Sequence, residues 1–173
     1  MNLRKSLIWG GCVLFFMSAF PLVVALQHLA LAQNPEDRSD MRDRVAIQEK
    51  LLYSYAYAAD SKDCASWANL FTADAVLNLG DLMKANGRDA ILQACIAREK
   101  NVTSSIKTRH IMTNIVFDQL TPNQAKTRTY LLLTWQKPGD MTPNAQEAGT
   151  YQDSIVKQSD GRWLFKERVL VLD

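Results

Sequence analysis

The spacing of apolar residues changes from a helical to an alternating pattern near Lys107, and this change most limits the folds available to the chain. Before that point apolar residues recur every three or four positions, which is typical of amphipathic helices. After it they alternate loosely with polar residues in segments separated by turn sequences, which is typical of antiparallel strands. This order predicts an α+β fold: three N-terminal helices pack on one face of a curved, mainly antiparallel sheet. Such a cone-shaped α+β barrel can leave an apolar cavity between its layers.

The first half of the chain is predicted to contain three helices and one short strand. Val45, Leu52 and Tyr55 fall at helical spacing, and Asp63 is placed to cap the start of the second helix. The predicted helices span residues 42–59, 64–71 and 90–99, and the strand spans residues 75–80.

The second half is predicted to form four strands. These strands span residues 109–118, 126–136, 149–158 and 162–173. The Asp160-Gly161 turn joins the last two strands as a hairpin. The uninterrupted apolar run from Tyr130 to Leu133 predicts that its strand is buried on both faces.

Residues 1–32 have the features of a secretory signal peptide, with a basic start, a long apolar run over residues 7–26 and a small-residue ending. Cleavage is expected before Gln33. Retention as an N-terminal membrane anchor is the alternative, because the apolar run approaches the length that spans a bilayer. Either outcome places the rest of the chain outside the cytoplasm, in a secreted or periplasmic location.

The polar residues 33–41 are interpreted as a linker, so the folded domain is expected over residues 42–173. Without residues 1–32, basic and acidic residues are equal in number at 18 each. A formal charge of zero with no basic run argues against a nucleic-acid partner. It also gives no reason to expect contact with a membrane except through residues 7–26, if these are retained.

The sequence contains no recognisable metal-binding or cofactor-binding motif. The part after residue 32 holds one histidine and two cysteines, Cys64 and Cys95, which is a poor ligand set for a metal. There is no glycine-rich phosphate loop and no nucleophile elbow, so no cofactor is expected. An oxidising compartment permits a disulfide between the two cysteines, but the sequence does not show whether they meet.

His110 is the main candidate for acid–base chemistry, because histidine most readily exchanges a proton near neutral pH. The two-residue period of a strand places Met112 and Asn114 on the same face. The alternative is a histidine that is hydrogen-bonded at a strand edge and has no catalytic role. Tyr55 and Asp60 lie about 140° apart around a helix, yet both can reach a cavity at its C-terminal end. A carboxylate there opposes the helix dipole, which is one reason to expect a specific role for Asp60; an ordinary solvated helix end is the alternative.

Four motifs together resemble the SnoaL-like domains of the nuclear-transport-factor-2-like superfamily. The stretch "LLYSYAYAADSKDCASWANLFTADAVL" is similar to the family's opening helices, and "GRDAI" to the entry into its third helix. The stretch "TRHIMTNI" resembles its His-containing strand, and "AGTYQDSIVKQSDGRWLFKERVLVLD" resembles its closing hairpin with a late Arg. The resemblance covers residues 42–173 and implies the family's cone-shaped fold.

The resemblance also implies site residues. The stretch "ADSKD" places Asp60 at the pocket Asp of scytalone dehydratase, and "TRH" places His110 at its pocket His. Tyr55 falls where ketosteroid isomerase and a bile-acid dehydratase carry a catalytic Tyr. The second His of scytalone dehydratase is missing, since only Thr134 or Trp135 is available there. The pocket walls expected from the resemblance are Trp67, Phe71, Met112, Asn114, Trp135 and Tyr151.

Two functions are compatible with these residues. The first is a cofactor-independent lyase or isomerase, similar to a dehydratase, that acts on a small apolar ring compound through Tyr55, Asp60 and His110. The second is an exported binding module of the same fold that holds a small ligand without chemistry. Either one is expected to form a homodimer through the exposed face of its sheet, as is common in this superfamily.

Overall fold

The computed structural model describes residues 35–103 and 105–173. The predicted signal or anchor and its cleavage site therefore lie outside the described residues. Residues 38–173 form one compact unit. In the two described ranges, no helix is long and apolar enough to cross a membrane.

Four α-helices are described in the first half of the chain. They are α1 (Pro35–Val45), α2 (Tyr53–Ser61), α3 (Cys64–Ala68) and α4 (Arg88–Arg98). A π-helical stretch, Ala46–Leu52, joins α1 to α2, and a second one, Glu99–Thr103, follows α4.

Helix α1 corrects the prediction of a linker over residues 33–41, because this polar segment is helical from Pro35 onward. Proline is well tolerated at the first position of a helix, where its missing N–H would have no partner. The first turn is acidic and the last turn is basic, which complements the helix dipole. An ion pair between Asp40 and Arg44, at 3.0 Å, adds an i,i+4 contact. These local terms explain a helix that has almost no apolar face.

Six strands form one unclosed sheet. They are β1 (Phe71–Asn78), β2 (Lys84–Asn86), β3 (Lys107–Leu120), β4 (Gln124–Gln136), β5 (Asn144–Lys157) and β6 (Trp163–Leu172). Their order is β2-β1-β6-β5-β4-β3, so β2 and β3 are the edges. Strand β1 pairs with β6 in parallel, and the other neighbouring pairs are antiparallel. The predicted mixed fold with a mainly antiparallel sheet is confirmed.

The prediction that β4 is buried on both faces is wrong. Leu131 and Leu133 are 3% and 2% exposed, whereas Tyr130 and Leu132 are 55% and 39% exposed. Successive side chains of a strand point to opposite faces, and the helices cover only one of them. We call the covered face the inner face and the other the outer face.

Two tertiary links fix the helices on the inner face. Asp43 of α1 accepts hydrogen bonds from Lys157 at 2.6 Å and from the indole of Trp163 at 3.0 Å, which ties α1 to the last hairpin. A disulfide joins Cys64 of α3 to Cys95 of α4, with Cα atoms 5.7 Å apart. The two short helices that border the site are thus held together covalently.

Candidate functional site

Asp60 and His110 form a tightly connected pair. Asp60 lies on the last turn of α2, just before Lys62 ends the helix in a left-handed conformation with φ of 61°. Its Oδ1 accepts hydrogen bonds from the Thr108 hydroxyl at 3.0 Å and from His110 Nδ1 at 2.7 Å. Its Oδ2 accepts the backbone N–H of His110 at 3.0 Å. The carboxylate is therefore held between the end of α2 and the start of β3.

These hydrogen bonds control the ionisation of Asp60. Burial alone raises the pKa of this carboxyl group, but the hydrogen bonds and charge of His110, with the hydrogen bond from Thr108, lower it below its ordinary value. Asp60 is thus a carboxylate at neutral pH and accepts the proton on Nδ1 of His110. The other ring nitrogen, Nε2, is then left with a free lone pair.

Tyr55 lies beneath His110 at the centre of the domain. It is 1% exposed, and its ring centroid lies 6.2 Å from that of His110 and 5.7 Å from that of Tyr151. Burial raises the pKa of both phenols. For Tyr55, the positive charge of Arg168 and a hydrogen bond with Tyr151 partly offset this effect. Both phenols are therefore neutral hydrogen-bond donors at physiological pH.

Arg168 packs beneath the site, and the sequence analysis did not select it as a site residue. It is fully buried and forms a two-point ion pair with Asp153, at 2.7 and 2.8 Å. Its guanidinium carbon lies 4.0 Å from the ring centre of Tyr55 and 4.1 Å from that of Tyr151. This stacking fixes both phenols from below. The sequence could have indicated this residue, because Arg168 falls in phase with the buried apolar positions of its strand. It is also the late Arg of the motif that resembles the family's closing hairpin.

Two spaces adjoin His110. The first, which we call the inner cavity, measures about 50 Å³ and lies between the helices and the inner face. This volume has room for a few water molecules, since one water needs roughly 10–15 Å³. Its lining includes Tyr55, Leu82, Met83, Arg98, Glu99, His110, Glu147 and Tyr151.

The second space, which we call the outer groove, lies between α2 and the edge strand β3. It measures about 580 Å³, within the usual range for small-molecule sites. Its lining includes Tyr53, Tyr57, Asp60, His110, Met112 and Thr134. His110 lines both spaces, whereas Asp60 lines only the groove. Because Nδ1 contacts Asp60, which lines the groove, we infer that Nε2 faces the inner cavity.

The structure brings together most of the predicted site residues. Trp67 and Tyr151 line the inner cavity with Tyr55 and His110, and Met112 lines the outer groove. Phe71 is fully buried and supports the site from behind, with its ring centroid 5.4 Å from that of Trp67.

Asn114 and Trp135 are the exceptions to this grouping. Asn114 has φ of 53° and lies in a β-bulge, where the pairing of β3 with β4 shifts. The bulge turns Asn114 to solvent and puts Ile115 in the inward position, so the two-residue period from His110 does not continue. Trp135 lines a separate recess near the end of β4, next to Asp140 and Asn144.

Three charged residues of the inner cavity were missed by the sequence analysis: Arg98, Glu99 and Glu147. Arg98 and Glu99 lie 3.6 Å apart as an ion pair at the end of α4. Glu147 belongs to β5, which begins at Asn144 and not at residue 149 as predicted. Burial raises the pKa of the Glu147 carboxyl group, against the opposing charges of Arg98 and His110. Across residues 35–103 and 105–173, no cluster of three or more potential ligands could hold a metal ion.

Comparison with known proteins identifies the family. The sequence profile of the SnoaL-like domain matches residues 39–169. A Mycobacterium tuberculosis protein of unknown function is 25% identical, with a TM-score of 0.69 over 82% of this chain and 78% of that chain. A candidate scytalone dehydratase from Novosphingobium aromaticivorans is 25% identical, with a TM-score of 0.67 over 79% of this chain and 88% of that chain.

A third structure shows the fold alone. It is a Catenulispora acidiphila protein in complex with S-DNPA, 21% identical, with a TM-score of 0.64 over 76% of this chain and 95% of that chain. No curated protein sequence matches this chain. The match over residues 39–169, which agrees with the four motifs and the six-stranded sheet, shows that the chain belongs to the SnoaL-like domain family.

Proposed function

We propose that this SnoaL-like protein is an exported, cofactor-independent lyase or isomerase of the dehydratase type, acting on a small, largely apolar ring compound. The observation that carries the proposal is the hydrogen-bonded Asp60–His110 pair, which borders a cavity that two neutral phenols also line. The candidate scytalone dehydratase among the similar structures supports the same reaction class. The relative in complex with S-DNPA supports binding of a small molecule.

Each residue of the set has a defined role in elimination of water beside a carbonyl group. His110 Nε2 removes the proton from the carbon next to the carbonyl, as a general base. Asp60 fixes the ring orientation and stabilises the imidazolium that forms. Tyr55 donates a hydrogen bond to the enolate oxygen as negative charge develops there.

The inner cavity has to widen before a ring compound can enter it. A cavity that holds benzene measures about 150 Å³, roughly three times the volume found here. Leu82 and Met83 of the loop between β1 and β2 line the cavity and are only partly buried. We propose that their displacement opens the cavity, because an unbranched Met side chain changes its conformation readily.

Export is part of the proposal. A disulfide between Cys64 and Cys95 persists in an oxidising compartment and is rare in the cytosol. This agrees with the signal-like sequence of residues 1–32.

Dimer formation through the outer face is also proposed. Ile111 pairs with Leu132, and Tyr130 lies in one row with Thr150 and Val171. Four of these side chains are large, apolar and 39–55% exposed. Burial of this patch against a second copy is expected to give a dimer in analytical ultracentrifugation. Leu132→Lys is expected to shift that dimer to the monomer.

A non-catalytic binding module is the second candidate, and the outer groove favours it. The groove accommodates a ring compound without rearrangement, whereas the inner cavity does not. In that case Asp60 and His110 orient a bound ligand and no bond is broken.

Turnover of a bicyclic β-hydroxyketone separates the two functions. Elimination of water from 3-hydroxy-1-tetralone gives 1-naphthol, which is followed by its fluorescence. His110→Ala and Asp60→Asn are expected to slow this reaction about 10²–10⁴-fold, the usual contribution of a general base. Thr113→Ala, an exposed change on the same strand, is the matched control. Full activity of His110→Ala would refute the catalytic function and leave the binding module.

A further inference from the structure

Glu147 faces His110 across the inner cavity. In the sheet register His110 pairs with Leu133 of β4, and Leu133 pairs with Glu147 of β5. Leu133 is buried on the inner face, so all three residues form one row there. Neighbouring strands lie about 4.8 Å apart, which separates the backbones of His110 and Glu147 by roughly 10 Å. This distance spans a small ring.

One carboxyl oxygen of Glu147 lacks the partner that a buried polar atom normally has. Its Oε2 is buried and, within the described part of the chain, accepts or donates no hydrogen bond. The charged groups that face it are Arg98 and Glu99 from the end of α4 and His110 from β3. Arg98 is engaged by Glu99. An unpaired buried polar atom lowers stability, and such groups concentrate where they serve a ligand.

We propose that Glu147, as a neutral carboxylic acid, donates the proton that lets the hydroxyl group of the substrate leave as water. This inference rests on the proposed function. The second histidine of scytalone dehydratase is missing here, so the proposed reaction still lacks a residue that protonates the leaving group, and we assign that role to Glu147. It adds a catalytic residue that touches the leaving group, opposite the base.

The step is balanced between the two residues. His110 Nε2 takes the proton from the carbon beside the carbonyl, and that electron pair forms the new carbon–carbon double bond. The carbon–oxygen bond breaks, and the oxygen leaves as water with the proton of Glu147. The imidazolium then returns a proton to the Glu147 carboxylate through water, so the net reaction releases one water. Because burial raises the pKa of the Glu147 carboxyl group, more of it is protonated at a given pH than for an exposed Glu.

Two substrates that differ only in the leaving group test this role. The hydroxyl group of 3-hydroxy-1-tetralone needs a proton to leave, whereas the fluorine of 3-fluoro-1-tetralone leaves as fluoride without one. Glu147→Gln is expected to slow the hydroxyl substrate about 10²-fold or more and to change the fluoro substrate less than about threefold. Glu147→Asp, which keeps the acid, is expected to retain more activity on the hydroxyl substrate than Glu147→Gln. Glu167→Gln, an exposed change on β6, is the matched control and is expected to change neither rate.

Each other outcome overturns the inference in a recognisable way. If Glu147→Gln slowed both substrates equally, or slowed neither, Glu147 would not be the acid. A loss of activity in His110→Ala would still uphold the proposed function in that case. If the wild-type protein eliminated neither leaving group, the proposed function and the acid role would both fall.

Thermal melting supplies a readout that does not depend on turnover. An unpaired buried carboxyl group costs stability when ionised, so Glu147→Gln is expected to melt no lower than the wild type at pH 7. Because burial raises the pKa of the Glu147 carboxyl group, the advantage of the variant is expected to be small below that raised pKa and to grow as the pH rises through it, where the wild type must ionise a buried group. A clearly lower melting temperature of Glu147→Gln at pH 7 would assign Glu147 a structural role and overturn the inference.

Discussion

Replacement of both disulfide cysteines tests how strongly the helices over the inner cavity depend on their covalent link. Cys64 and Cys95 are separated by 31 positions in the sequence. For a loop of that length, cross-linking removes about 12 cal/mol/K of entropy from the unfolded chain, which corresponds to about 3.7 kcal/mol at 25 °C. We therefore expect the double variant Cys64→Ser/Cys95→Ser to lose about 3–4 kcal/mol of unfolding free energy.

Urea denaturation followed by far-ultraviolet circular dichroism measures this loss. For a domain of this size the loss is a large fraction of the total stability, so the midpoint is expected to fall sharply. Wild-type protein treated with a reductant is the control, and it is expected to unfold at the same urea concentration as the double variant. A loss below about 1 kcal/mol would refute the reasoning, because it would mean that the cross-link does not restrict the unfolded chain as a loop of this length predicts.

Three further predictions follow from the site. Arg168→Met is expected to destabilise the protein by about 3–5 kcal/mol in urea denaturation, because it leaves Asp153 as an uncompensated buried charge; a loss below 1 kcal/mol would contradict this. Because the folded-state pKa of Asp60 is lowered, its contribution to stability is present above pH 4 and is lost as the pH falls through that lowered value. The melting-temperature difference between wild type and Asp60→Asn is thus expected to shrink below pH 4, and a constant difference down to pH 2 would contradict it. Met83→Ala is expected to lower the KM for 3-hydroxy-1-tetralone several-fold by widening the inner cavity, whereas a raised KM would show that Met83 holds the substrate.

Local chemistry explains which parts of the fold were predictable. Apolar periodicity is a property of each segment, so it located α2, α4 and the four long strands. Asp63 was predicted to cap the second helix, and its side chain accepts the backbone N–H of Ser66 at 3.0 Å. Motif resemblance brought Tyr55, Asp60 and His110 together although about 50 positions separate the last two.

The remaining features depend on contacts between segments. The exposure of Tyr130 depends on which sheet face the helices cover, and no pattern within β4 reports that. The bulge at Asn114 arises from the pairing of β3 with β4, although asparagine is among the residues that tolerate a positive φ. Glu147 was missed because pairing with Leu133 extends β5 beyond its apolar stretch.

The hydrogen-bonded pair of Asp60 and His110 is the central feature of the proposed site. The position of the proton on the His110 ring tests this pair most directly. Nitrogen-15 NMR distinguishes the two neutral tautomers of imidazole, and the His110 signals are identified by their loss in His110→Gln. At alkaline pH, where a typical imidazole is neutral, we expect the proton on Nδ1 and a bare Nε2 in the wild type. Asp60→Asn is expected to weaken or reverse that preference. A proton on Nε2 in the wild type, or a tautomer that is indifferent to Asp60→Asn, would contradict the assignment of His110 as the base that Asp60 orients.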